Sequence, residues 1–390
     1  MLIYFDMDSK FTFQKKLRVY MSSSIQSVSN VGFASKVYSF SVSSVTKLTT
    51  IISSVVSSTF FCLKSVFQSL FNQMGTENIK TFLPEKESAS IIGFLRSKQT
   101  TYLERKKALT DLFQSTKRAC QNGFDIFGRI CHLDDKLIDM MKKGTIVLDE
   151  DLISKTLDET GYPFPVTDSL VKVVSSDTVE CALRLKQQGY NPAVLNFANE
   201  NYPGGFVEGG SSAQEESLFR RSCYHLSLYP SQNTCLKAQL RDGKYKIPEF
   251  GCIYSPNVQF FRTTEGSGCH FKRPICLDMI ACAAYDLARE TRPTDYQNKT
   301  KRKIRSILRA ALINRNDSIV LGAFGCGAFR NDPVEVTKLF KEVLQEEEFA
   351  VAFKNIYFAI KEGRRTDNCK PFHKELDGLK TSQSRWWTFS

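Results

Sequence analysis

The chain has 390 residues, 42% of them hydrophobic and 24% charged, with a formal net charge of +12. This is an ordinary globular composition, long enough for one large domain with an appendage or for two domains, and nothing in it argues for a membrane span. The twelve cysteines include no CxxC pair and no Cys/His spacing suited to zinc, so no metal site is expected and reduced thiols inside a cell are. Cys223, Cys252, Cys276, Cys282 and Cys326 sit in apolar or glycine-rich segments and read as small core hydrophobes. A positive field speeds association with a polyanion, although solubility alone would also account for the charge.

Residues 1–76 differ from everything after them. They hold seven Lys or Arg against two Asp, have no acidic residue from Ser9 through Thr76, and repeat serine, threonine and valine in runs such as SVSSVTKLTTIISSVVSSTFF. A basic, serine-rich, acid-poor leader fits a transit peptide, although Asp6 and Asp8 fit it badly; a disordered tail or a start at Met74 fits equally. The segment is kept apart from the fold.

From Thr101 onward, Leu103, Lys107, Leu109, Leu112 and Phe113 mark an amphipathic helix. Leu148 to Leu157 predicts another short helix and Gly161-Tyr162-Pro163-Phe164-Pro165 a loop, so residues 77–165 read as a helical extension. Val171 to Val174 reads as a strand, Asp177 to Gln188 as a helix ended by Gly189, and Ala193 to Phe197 as a buried strand. Such a β-α-β unit makes a parallel sheet, with ligands at the carboxyl ends of its strands. Gly251 to Val258, Ile275 to Ala281, Ile319 to Gly322 and Ile356 to Ile360 are further apolar runs of strand length. Between them, Lys301 to Ile313 brings Ile304, Ile307, Leu308, Ala311 and Leu312 to helical spacing. Lys299, Lys301, Arg302, Lys303, Arg305 and Arg309 fall on its outward side, as a solvated face or as a guide for an anionic polymer. A last helix opens with Asp332 as N-cap, Pro333 at its first position and Glu335 reaching back, and buries Val336, Leu339, Phe340, Val343 and Leu344. Alternating strands and helices imply a layered α/β core over residues 166–375, with 376–390 as a tail.

The stretch that organises the core is NFANENYPGGFVEGGSSAQEESLFR, Asn196 to Arg220. A buried strand runs into Pro203-Gly204-Gly205 and Gly209-Gly210, and the adjacent acids Glu215 and Glu216 follow in the first turn of a helix expected over Gln214 to Leu228. Glycines let backbone N–H groups approach an anion, which suits a phosphate or diphosphate. Plain chain reversal and acids that complement a helix dipole would produce each piece singly. A second glycine-rich loop, Gly322 to Phe329, ends a second buried strand, and two loops at neighbouring strand ends can grip a diphosphate from both sides.

Taken together, PGGFVEGGSSAQEE resembles the signature of the bacterial-type poly(ADP-ribose) glycohydrolases, a triple glycine followed after a short spacer by Gln-Glu-Glu, on a macrodomain fold. Phe206 stands where that family's third glycine is expected, and a bulky residue there is expected to narrow the approach to the diphosphate or tilt the loop. Gly325-Cys326-Gly327, Phe329 and Asn331-Asp332-Pro333 resemble the family's second loop, and Tyr254-Ser255-Pro256 and Phe261-Arg262 its strand and loop after the catalytic helix. The likeness covers about Thr101 to Lys361 and implies a three-layer, macrodomain-like mixed sheet between helices, with a helical N-terminal extension. It also implies ligand contacts from Asn199, Gly204, Gly205, Phe206, Gly209, Gly210, Gln214, Gly325, Cys326, Gly327, Ala328 and Phe329, with Asn199 on the distal ribose hydroxyl and Phe329 stacked near that ribose.

Cleavage at a ribose needs a proton for the leaving oxygen, a stabilised oxocarbenium-like centre and a water. Sequence neighbours on a helix point about 100° apart and are poorly placed to flank one bond, so Glu215 and Glu216 are expected to divide their roles. By resemblance, Glu216 protonates the departing oxygen and then activates water, while Glu215 hydrogen-bonds the ribose. The expected substrate is poly(ADP-ribose) or an ADP-ribosylated protein and the product ADP-ribose, without metal or cofactor, by a monomer away from membranes. The expected compartment is intracellular, cytoplasmic or nuclear, or mitochondrial if residues 1–76 are a transit peptide. Two alternatives stay open: a reader that holds ADP-ribose without cutting it, kept alive by Phe206, and a hydrolase of ADP-ribose linked to protein or nucleic acid.

Overall fold

The computed structural model describes residue 95 and residues 100–126, 128–160, 169–264, 270–361 and 367–381. Residues 1–76 and the loop expected at 161–165 lie outside them. Among the described residues, no helix is long and apolar enough to cross a membrane.

Helix α1 (Tyr102–Asn122) starts at a reciprocal cap: the Thr101 hydroxyl accepts the Glu104 N–H, and the Glu104 carboxylate accepts the Thr101 N–H. Leu109, Leu112, Phe113, Thr116 and Ala119 form its buried face. There follow a hairpin of β1 (Phe124–Ile126) and β2 (Arg129–Cys131), helix α2 (Asp135–Gly144), strand β3 (Ile146–Leu148) and helix α3 (Glu150–Thr160). The extension is therefore largely helical, but Leu148, expected inside a helix, closes a strand instead. Three-residue strands are too short to show a period in sequence. β3 pairs antiparallel with a core strand and forms one edge of the main sheet, so the extension is stitched into the core.

The core runs β4 (Leu170–Val174), α4 (Thr178–Gln187), β5 (Pro192–Phe197), α5 (Gln214–Arg221), α6 (His225–Leu228), α7 (Thr234–Gln239), β6 (Cys252–Arg262), β7 (His270–Cys282), α8 (Tyr296–Ile313), β8 (Ser318–Leu321), α9 (Pro333–Leu344), α10 (Glu347–Ala350), β9 (Asn355–Ala359) and α11 (Cys369–Leu376). The sheet order is β3-β6-β7-β5-β8-β9-β4. β7, β5, β8, β9 and β4 are parallel, and β6 alone opposes its neighbours. In β5, Ala193 and Leu195 enter a core shared with α3, α8, α9 and α11, whereas Val194 enters one shared with α1, α4 and α5. The result is the expected three-layer α/β fold.

Three expectations need correction. The helix predicted over Gln214 to Leu228 breaks after Arg221, because Ser222 bridges to Phe260 and the Cys223 N–H donates to the Gln259 carbonyl (3.1 Å). Ser222 reinforces the break: its hydroxyl donates to the Leu218 carbonyl and accepts the Tyr224 N–H. Second, the cations of the basic helix α8 do not all stand outward as bare charges. Arg302 pairs with Glu150, Arg305 with Glu346, Arg309 with Glu348 and Lys301 with Glu342, while Lys303 is buried and donates to the Glu249 carbonyl. Third, Asp332 does cap α9 through the Val334 N–H, but Glu335 turns away to accept from Arg292 and Gln297 instead of reaching back.

Candidate active site

The carboxyl ends of β4, β9, β8, β5 and β7 open into one cleft of about 670 Å³. Of the residues singled out in the sequence, Asn199, Gly205, Phe206, Gln214, Glu215, Glu216, Gly325, Gly327, Ala328 and Phe329 line it. Gly204, Gly209, Gly210 and Cys326 do not. Gly204 sits over the fully buried ring of Phe219, Gly210 presses on the backbone of Lys106 in α1, and Cys326 is buried with its thiol donating to the Phe324 carbonyl.

The two acids are held differently. Glu215 and Glu216 are only 3% and 6% exposed. Both oxygens of Glu215 are engaged: Oε2 accepts the Asn199 N–H at 2.8 Å, and Oε1 accepts the Gly204 N–H at 3.0 Å and lies 3.4 Å from the Asn196 amide. Glu216 accepts the Phe206 N–H through Oε1 at 3.1 Å, and its buried Oε2 has no hydrogen-bond partner among the described residues. Burial pushes the Glu215 carboxyl up to about 8; the Asn199 N–H opposes that, and the neighbouring Glu216 adds to it.

Gly205 is the position that admits this arrangement. Its φ is +57°, and a Cβ there would meet Glu216 Oε1 at 2.6 Å and Glu215 Oε2 at 3.1 Å. Phe206 is different. Its φ of −106° does not call for glycine; the ring points outward, 49% exposed, beside Tyr202 and the Arg289 guanidinium. The Phe206 side chain stands on the cleft wall.

Several elements fix this geometry. The Gln214 amide donates to Leu195 O and Thr178 Oγ1 and accepts the Phe197 N–H, so it ties the start of α5 to β5. The Asn199 Oδ1 accepts the N–H groups of Asn201 and Tyr202, holding the turn into the glycines. From the extension, Gln114 and Lys117 bind the Glu208 carboxylate, and the Thr110 hydroxyl donates to the Glu208 carbonyl. At the far end of α5, Thr116 and Arg262 donate to the Arg220 carbonyl, placing a cation at a helix C-terminus. The second loop is held by Asn331, whose amide donates to the carbonyls of Tyr285 and Gly325 and whose Oδ1 accepts from Tyr296. Phe329 is half-buried and belongs to neither main hydrophobic core.

The sequence reading missed Asp177, Thr178, Ser211, Ser212, Ser217, Arg221, Asp286, Arg289, Lys361 and Asn368, all on the cleft wall. Asp177 was legible only as the start of a helix, and the structure makes it the N-cap of α4. It also accepts both contacts from the Arg221 guanidinium at 2.9 and 3.0 Å; burial works to raise its carboxyl, but Arg221 outweighs that and holds it below the ordinary value. Arg221 carried no local signal. Among the described residues, no group of three or more His, Cys, Asp or Glu side chains is arranged to hold a metal.

The sequence profile of the microbial-type PARG catalytic domain matches residues 113–263. No curated protein matches the sequence. Among solved structures, the poly(ADP-ribose) glycohydrolase from Thermomonospora curvata is 26% identical, with a TM-score of 0.60 over 69% of this chain and 99% of that one. The same enzyme bound to the inhibitor ADP-HPD gives a TM-score of 0.58 at the same identity and coverage. The poly(ADP-ribose) glycohydrolase from Deinococcus radiodurans in complex with ADP-ribose is 30% identical, with a TM-score of 0.53 over 62% of this chain and 98% of that one. With this fold, the buried tandem acids beneath a glycine loop, and that identity over nearly the whole of a solved relative, the chain belongs to the microbial-type poly(ADP-ribose) glycohydrolase family.

Proposed function

We propose that the chain hydrolyses ribose–ribose O-glycosidic bonds of poly(ADP-ribose) and releases ADP-ribose, with Glu216 as general acid and base. The observation that supports this assignment is the unequal bonding of the two acids. Glu215 spends both oxygens on backbone N–H groups, whereas Glu216 lines the cleft with Oε2 unengaged among the described residues. In this reading, the bond from the ribose C1″ to the neighbouring unit's oxygen breaks as Glu216 gives that oxygen its proton. Water then attacks C1″ and returns a proton to the Glu216 carboxylate, completing the cycle.

Glu215 orients the ribose. Its raised pKa of about 8 lets it hold a proton through neutral pH and donate a hydrogen bond to a ribose hydroxyl. Asn199 and Phe329 line the same cleft and complete the ribose site, and the two glycine-rich loops take the diphosphate. Incubating the purified chain with poly(ADP-ribose) and measuring free ADP-ribose tests the proposal. Release from the polymer is expected. Binding of ADP-ribose without release would make the chain a reader, and release from singly modified protein or nucleic acid alone would make it a hydrolase of that linkage.

A further inference from the structure

Beside the catalytic loop lies an aromatic surface that the reaction as described does not use. Tyr202 is 59% exposed and Phe206 is 49% exposed, although large aromatic side chains are seldom left this open without a partner. Their ring centroids lie 5.9 Å apart, and the Arg289 guanidinium sits 5.7 Å from the Phe206 ring. The Phe206 backbone N–H also holds the Glu216 carboxylate, so the pair begins one hydrogen bond away from the proposed general acid. The turn that carries it is not loose: Asn199 caps it, and the Gly205 N–H closes back on the Tyr202 carbonyl at 2.9 Å.

We infer that Tyr202, Phe206 and Arg289 form a subsite for the adenine of the ADP-ribose unit on the leaving side of the scissile bond. This rests on the proposed hydrolysis of poly(ADP-ribose), because only there is the departing oxygen part of an adenosine. A purine has a π-face for the two rings, and an arginine over the same surface adds a cation–π contact. The subsite selects polymer over singly attached ADP-ribose, and it depends on Phe206 standing where the family signature has glycine.

The test is calorimetric titration of ADP-ribose and of the two-unit polymer into the full chain carrying Glu216→Gln, which keeps the dimer intact. The readout is the ratio of the two dissociation constants, in which any loss common to both ligands cancels. Stacking of one base predicts that the dimer binds roughly 5- to 150-fold more tightly than the monomer. Adding Phe206→Gly is expected to bring the ratio close to one. Tyr202→Ala, at a residue outside the cleft wall, lowers it by a smaller factor. A ratio near one in the parent, or a ratio that neither substitution changes, overturns the subsite. If the wild-type chain neither releases ADP-ribose from polymer nor binds it, the proposed function fails as well. Hydrolysis with a flat ratio removes this inference alone.

Discussion

Glu215→Gln isolates the electrostatic cost of burying the second acid. The carboxyl is raised from an ordinary 4.5 to about 8, so between those values the folded chain holds a proton that the unfolded chain releases. Folding is therefore favoured by this group below pH 4.5, and the contribution is lost as pH rises through 8. At 1.36 kcal/mol per pH unit, the loss across the window is about 5 kcal/mol. Glutamine does not titrate. It keeps one acceptor for the Asn199 and Gly204 N–H groups and loses the other, a cost of roughly 1–3 kcal/mol that does not vary with pH. Denaturant unfolding of both proteins at pH 5, 7 and 9 should show the variant gaining about 4 kcal/mol on wild type between the extremes, since part of the window lies below pH 5. Parallel stability profiles would refute the claim that Glu215 is buried at the expense of its charge.

Gly205→Ala is expected to lower turnover and stability together, because its Cβ would displace both carboxylates and its φ of +57° costs about 1–2 kcal/mol outside glycine; kcat and thermal melting check it. Phe329→Ala should weaken ADP-ribose binding while leaving the melting temperature near wild type, since the side chain is half-buried and belongs to neither main core. A large drop in melting temperature would assign the ring to packing. A chain starting at Met74 should fold and retain ADP-ribose affinity, as the sheet and cleft are assembled from residues after 100; an insoluble or non-binding product would count against that.

The parts of the fold that were legible in sequence are those with local chemistry. β5 and its glycine loop, the cap at Asp332, and the apolar stripe of α8 all have signatures within one turn or one strand. What was not legible depends on distant partners. β3 exists because β6 offers it an edge, and α5 ends because Ser222 and Cys223 bond to β6. Lys303 is buried because its ammonium reaches the Glu249 carbonyl. The site divides in the same way. The two acids and both loops stand out by residue type, whereas Arg221 and Arg289 become visible only when Asp177 and Phe206 are placed beside them. The surroundings of the Phe206 ring were also hidden, since Tyr202 and Arg289 are brought to it by the fold.

The division of labour between the tandem acids is the central claim, and single-turnover hydrolysis of poly(ADP-ribose) by Glu216→Gln tests it most directly. The amide keeps the size of the side chain and the acceptor for the Phe206 N–H, but it cannot transfer a proton. The account predicts a fall in rate of about 10²–10⁴-fold or more, with ADP-ribose affinity retained. Near-normal hydrolysis by this variant, with Glu215→Gln inactive, would reverse the two roles and contradict it.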